Sequence, residues 1–284
     1  MMKKAYYSVR AGKHPTGGRL DLNGIKYLAD SAFSQFWERG YFQEVFGHNC
    51  VDAGLIPGRA GTDIKAFFFN KLRRHDIWPI AENIKDYDEG DLFDVIELLH
   101  DCVSRPIGGN FHSWNECGWH YETFDQQAGQ KEFRASMNEI LRDYKIGYEL
   151  TANGEIVSLA PRGLGDLERA PAPPADPENV LARMNAAIDK FRRRDATSDD
   201  RRDAVRDLAD ILEFLRPRAR KILTTKDEAE LFDLANNFGI RHHNSKQKTA
   251  YDKPIWLSWM FYHYLATIHA LTRLIEKASQ QNRR

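Results

Sequence analysis

The stretch Asn236–Leu274, NNFGIRHHNSKQKTAYDKPIWLSWMFYHYLATIHALTRL, decides how this chain is read. Its second half carries Ile255, Trp256, Trp259, Met260, Tyr262, His263, Ala266, Thr267, His269, Ala270 and Leu274, at spacings that cover much of a helix's circumference. A helix that is apolar nearly all round is buried on several sides or docks on a partner. Pro254 suits the first turn, where its missing N–H costs nothing. Just before the helix, Arg241, His242, His243, Asn244, Ser245, Lys246 and Gln247 bring together a guanidinium, two imidazoles, two amides and an ammonium. Such groups hold phosphate oxygens and move protons near neutral pH. This loop is therefore the first candidate for a functional site.

Upstream of it the pattern stays helical. Lys226 to Asn237 reads as a helix ended by Gly239. Thr197 or Ser198 caps another with Val205, Leu208, Ile211, Leu212 and Leu215 inward, and Asp176-Pro177 opens a third with Val180, Leu181, Met184, Ala187, Ile188 and Phe191. Together with the last helix they predict an up-and-down helical bundle over residues 178–284. The segment 161–177, which contains APAPPADP, reads as a stiff linker.

Residues 1–160 form the other expected domain. Apolar residues recur at three and four from Asp21 through Phe36, over Tyr41–Gly47, from Thr62-Asp63 to Arg74, along DEGDLFDVIELLHDCVS, and from Asp125 to Tyr144. The Gly- and Pro-rich residues 53–61 read as a loop, and 105–123, rich in Gly, Trp and His, shows no assignable period. GYELTANGEIVSL alternates around Asn153-Gly154, a strong hairpin signal. The expected fold class is thus mainly α: a helical domain with a small β-hairpin wing, then a helical bundle.

Composition narrows the function. The chain has 284 residues with 41 basic and 41 acidic side chains, so net charge does not point to nucleic acid or membrane. Cys50, Cys102 and Cys117 are odd in number and widely spaced, which suits a reduced, cytoplasmic protein. The start, MMKKAYYSVRAGKHP, lacks the apolar core of a secretory leader. The last helix is interrupted by Ser258, His263, Thr267 and His269, which argues for burial rather than membrane spanning. No P-loop, dinucleotide glycine motif, HExxH or nucleophile elbow occurs, and no cofactor is expected. His100, Cys102, His112, Cys117 and His120 have the donors of a zinc site. There is no paired C-x-x-C, however, and His100 and Cys102 have a competing place in a helix core, so no metal site is assigned.

The order of elements resembles a known pairing. The C-terminal region, with Arg241 followed by His242, His243 and Asn244 before the last long helix, resembles a HEPN domain. The N-terminal region is similar to the amino-terminal domains of AbiJ-type abortive-infection proteins, through Gly40-Tyr41-Phe42-Gln43-Glu44, Leu92-Phe93-Asp94-Val95-Ile96-Glu97, and the run from His120 through Phe124, Gly129 and Asn138 to the Asn153-Gly154 hairpin. Lys246, Gln247 and Lys248 stand where the family histidine falls. The resemblance implies an antiviral defence protein whose helical effector cleaves RNA without a metal, acting as a homodimer through its C-terminal domain, with an antitoxin or sensor as a further partner.

In that reading Arg241, His242 and His243 are catalytic, and Asn244, Lys246 and Gln247 contact substrate. The basic run Arg216, Arg218 and Arg220 follows the RNA backbone or is a solvated helix end. The alternative is a non-catalytic module of the same shape that binds RNA, a nucleotide or a protein, with Arg241 and the histidines serving as helix caps.

Overall fold

The computed structural model describes residues 7–11, 19–160, 164, 167–168, 170, 176–224, 226 and 252–281. The chain is mainly helical and divides into two compact units, Met1–Leu159 and Ala160–Arg284. No helix among the described residues is long and apolar enough to cross a membrane.

The first unit runs α1 (Tyr7–Arg10), α2 (Leu22–Glu38), α3 (Gln43–Phe46), β1 (His48–Cys50), β2 (Gly54–Ile56), α4 (Ile64–Leu72), α5 (Ile80–Asn83), α6 (Glu89–Cys102), β3 (Arg105–His112), β4 (Gly118–Asp125), α7 (Gln126–Leu141), β5 (Tyr148–Leu150) and β6 (Ile156–Ser158). Aspartates set the helix starts. Asp21 accepts from the Gly24 N–H at 2.7 Å, Asp63 from Ala66 at 2.9 Å and Asp125 from Ala128 at 2.9 Å. Asp88 and Asp91 close a reciprocal capping box. Each cap satisfies a donor that the helix leaves open, a contribution of about 1 kcal/mol.

The apolar faces so aligned make one core. Ile25, Phe33 and Phe36 of α2 meet Leu92, Phe93 and Ile96 of α6 and Phe133, Met137 and Leu141 of α7. Burying each such side chain stabilises the fold by about 1.5–3 kcal/mol. The β5–β6 hairpin closes this core. The Asn138 side chain on α7 donates to the Leu150 carbonyl at 3.0 Å and accepts the Leu150 N–H at 2.6 Å.

Two further hairpins depart from the sequence expectation. Residues 53–61 are not simply a loop, because β1 and β2 pair antiparallel with Asn49 opposite Leu55. The stretch 105–123 is the long β3–β4 hairpin, with Gly109 opposite Tyr121 and Asn110 opposite His120. Its period is hidden for a physical reason. The register slips at Pro106/Gly108 and again at Gly108/Gly109, and neither β3 nor β4 has a fully buried side chain, so no inside–outside alternation is imposed.

The second unit contains a π-helical turn (Pro177–Ala182), α8 (Arg183–Arg192), α9 (Ser198–Ala219) and α10 (Lys253–Gln281). Asp176 caps the first turn, and Thr197 with Asp200 forms a capping box on α9. The core joins Val180, Met184 and Phe191 to Val205, Leu208, Leu212 and Leu215 and to Met260, Phe261, Leu265 and Ile268. Phe191 stacks on Phe261 at 3.9 Å, and the Arg201 guanidinium lies 5.6 Å from the Phe191 ring. Hence α9 and α10 begin on the same side of the unit. Beside this stack, buried Glu168 accepts from Tyr262 Oη at 2.8 Å and pairs with Arg192 at 2.9 Å.

The apolar circumference of α10 is used unequally. Leu257, Met260, Phe261, Tyr264, Leu265, Ile268 and Leu271 face the core. Ile255, Trp256, Trp259 and Leu274 stay exposed, at 65%, 37%, 44% and 45%, and with exposed Ala266 and Ala270 they form one stripe at helical spacing.

Candidate metal centre

The turn from α3 into β1 is the first positioning element. Gly47 has φ +75°, and a Cβ on it would lie 2.0 Å from the Ile56 carbonyl oxygen. Only glycine fits there, and this lets β1 leave α3 sharply with β2 folded back against it. Cys50 ends β1. The second element is the tip of the long hairpin. His112 ends β3, a 3-10 turn spans Trp114–Glu116, Cys117 follows, and His120 lies two residues into β4. His112 pairs with Gly118 across the strands. Side chains alternate along a strand, so His112 and His120 share one face of the hairpin.

Gln43 of α3 fixes that hairpin against the helical core. Its amide nitrogen donates to the Trp119 carbonyl at 3.0 Å, and its oxygen accepts the Tyr121 N–H at 3.0 Å. At the base, Ser104 N–H bonds the Tyr41 carbonyl at 2.9 Å, and Arg105 pairs with Glu132 at 3.3 Å.

With both hairpins in place, the donor atoms of Cys50, His112, Cys117 and His120 all lie within 4.8 Å of one another. Cys50 Sγ is 3.7 Å from His112 Nδ1, and Cys117 Sγ is 3.1 Å from His120 Nε2. All four side chains are partly buried, and both cysteines are free thiols. The backbone N–H groups of Ala53 and Asp52 hold the Cys50 thiol below its ordinary range, because hydrogen bonds to sulfur favour the thiolate. His112 Nε2, on the far side of the ring, meets the Asp52 carboxylate at 3.2 Å. The His48 ring packs on His120 at 4.3 Å, and burial, with His120 beside it, lowers the His48 pKa. His48 and Asn49 also wall a pocket of about 300 Å³ lined by Trp37, Phe42, Phe46 and Trp78.

Sequence reasoning had three of these donors in view and missed Cys50. That cysteine is separated from the others by α4, α5 and α6, and only the two hairpins bring it back. His100 and Cys102, grouped with them by sequence, are elsewhere. Both are buried in α6, and burial raises the Cys102 thiol to about 12 and lowers His100.

The loop singled out first, with Arg241, His242, His243, Asn244, Lys246 and Gln247, lies outside the described residues. Of the basic run, Arg216 bonds Glu213 at 3.2 Å within its own helix, while Arg218 and Arg220 are exposed at the end of α9. That end is opposite the side on which α10 begins. His263 is half-buried and stacks on Trp259 at 5.4 Å, and His269 is buried, as expected for imidazoles of a packed helix.

No family model, curated protein or solved structure matches this chain.

Proposed function

We propose that the chain is an AbiJ-like antiviral defence protein whose second unit is a HEPN-like effector that cleaves RNA as a homodimer. One observation supports this reading: a second face of α10 also carries apolar side chains, which are exposed to different degrees. A stripe holding Ile255, Trp256, Trp259 and Leu274 is exposed along a helix whose other face is core. Exposed apolar side chains mark interaction surfaces, and in the proposed symmetric dimer Ile255 and Leu274 of α10 lie at the interface. Arg241, His242 and His243 precede that same helix in sequence, and a dimer supplies two copies of them.

The chemistry then follows from the residues. Attack of a ribose 2′-OH on the adjacent phosphate needs a base for the hydroxyl proton, an acid for the departing 5′-oxygen and a cation for the charge on the phosphoryl oxygens. Imidazoles of His242 or His243 from the two copies supply base and acid, and Arg241 holds two phosphate oxygens at once. Asn244, Lys246 and Gln247 orient the strand. The first unit is the sensing half.

The test is cleavage of RNA by the purified full chain against Arg241→Ala and the His242→Ala/His243→Ala double variant. Loss of cleavage in variants that remain folded supports the effector site. Equal cleavage by all three places the activity elsewhere. Binding of RNA without cleavage by the wild type favours the non-catalytic module.

A further inference from the structure

The geometry points to a structural zinc site in the first unit, formed by Cys50, His112, Cys117 and His120, which rivets the β1–β2 hairpin to the tip of the β3–β4 hairpin. The inference does not depend on what the helical effector does. Tetrahedral zinc holds sulfur at about 2.3 Å and imidazole nitrogen at about 2.0–2.1 Å, which sets neighbouring donors about 3.3–3.8 Å apart. The donor contacts of 3.7 Å and 3.1 Å, and the outer limit of 4.8 Å for the whole set, are close enough for an ion to draw all four into that shell with sub-ångström movements.

The donor set selects the metal. Two thiolates and two imidazoles in a compact, partly buried group suit zinc, whereas calcium, magnesium and manganese take oxygen ligands. Four protein ligands fill the tetrahedron and leave no position for a reactive water, so the site is structural. The surroundings match. Asp52 receives the outward nitrogen of His112. A carboxylate there fixes the tautomer and presents the other nitrogen to the metal.

The two hairpins are also a place where a rivet adds stability. Neither hairpin contains a fully buried side chain, and Ile107, Phe111, Trp114 and Trp119 are exposed at 63%, 60%, 69% and 48%. Two-stranded hairpins without an apolar face in a core are marginal on their own. The ion pair at the base secures the root of β3 and β4, and Gln43 holds β4 at Trp119 and Tyr121, on either side of His120. The four donors join this same end of the hairpin to the end of β1.

The experiment is metal analysis of the full chain purified without chelator, with zinc-edge X-ray absorption on the same sample. The expected result is one zinc per chain with a shell of two sulfurs and two nitrogens. Cys50→Ser, Cys117→Ser and His112→Ala are expected to lose stoichiometric zinc, and Cys102→Ala, outside the site, to keep it. Because a site variant can fail to fold, the absorption shell of the wild type stands as an independent readout. Cobalt substitution, with the intense visible bands of a tetrahedral thiolate site, is a second. A wild type without stoichiometric metal, a shell lacking sulfur, or a Cys50–Cys117 disulfide found by mass spectrometry would each overturn the assignment.

Discussion

The Asp52 carboxylate stands 3.2 Å from Nε2 of His112, on the side of the ring away from Nδ1, which faces the Cys50 sulfur at 3.7 Å. An exposed aspartate gains little from a lone surface contact with a histidine. Beside a metal ligand the same contact orients the ring. Replacing Asp52 with Asn keeps the shape and removes the charge. The expected outcome is zinc affinity lowered about 10- to 100-fold, measured by competition with a chromophoric chelator, with the helical fold intact by circular dichroism.

Metal removal should act locally. The helices α2, α6 and α7 share a core to which β1–β4 contribute no buried side chain. Segments with few buried contacts open independently of the core. Hydrogen exchange on the chain before and after zinc removal is therefore expected to show lost protection over residues 48–56 and 108–121, with α6 and α7 unchanged. Uniform loss across the unit would mean that the core itself depends on the ion.

The buried pair in the second unit gives a stability prediction. Glu168 and Arg192 have side chains only 2% and 10% exposed, and the Glu168 carboxylate with its low-dielectric surroundings pushes the Tyr262 hydroxyl far above its usual range, burial being the larger cause. Glu168→Ala removes both the carboxylate that pairs with Arg192 and the acceptor of Tyr262 Oη and is expected to cost about 3–5 kcal/mol. Glu168→Met combined with Arg192→Met removes both charges and is expected to recover part of that loss, the buried Tyr262 hydroxyl still lacking its acceptor. Urea unfolding of the single and double variants distinguishes the two.

His269 predicts a pH dependence. It is 4% exposed, and burial lowers its pKa below the ordinary value. The unfolded chain then binds the proton more readily than the folded one, so stability rises with pH in the window between the two values. This contribution is fully present above about pH 6.5 and is lost as the pH falls toward the depressed folded value. The wild type is expected to lose more stability between neutral and mildly acid pH than His269→Leu does, measured as the shift in urea midpoint.

Much of the helical framework is legible because its signals are local. Asp21, Asp63, Asp125 and Thr197 each announce a helix start within four residues of sequence, and Asn153-Gly154 announces the β5–β6 turn. The long hairpin is not legible in the same way, since its two register slips and exposed faces erase the alternation that reveals a strand. The metal cluster is half legible. His112, Cys117 and His120 show the donors, but Cys50 joins them only through tertiary structure. The exposed stripe on α10 could not be told from its buried face by sequence, because Trp259 and Met260 are both apolar and only packing separates them.

The most direct test of the proposed function is the chemistry of the RNA ends left by the purified full chain, with zinc retained and other divalent cations removed by dialysis. Attack by a neighbouring 2′-OH, driven by Arg241 and the histidines beside it, predicts 2′,3′-cyclic phosphate and 5′-hydroxyl ends that disappear in Arg241→Ala. Ends carrying a 5′-phosphate, cleavage that requires added magnesium, or undiminished cleavage by Arg241→Ala would contradict the account.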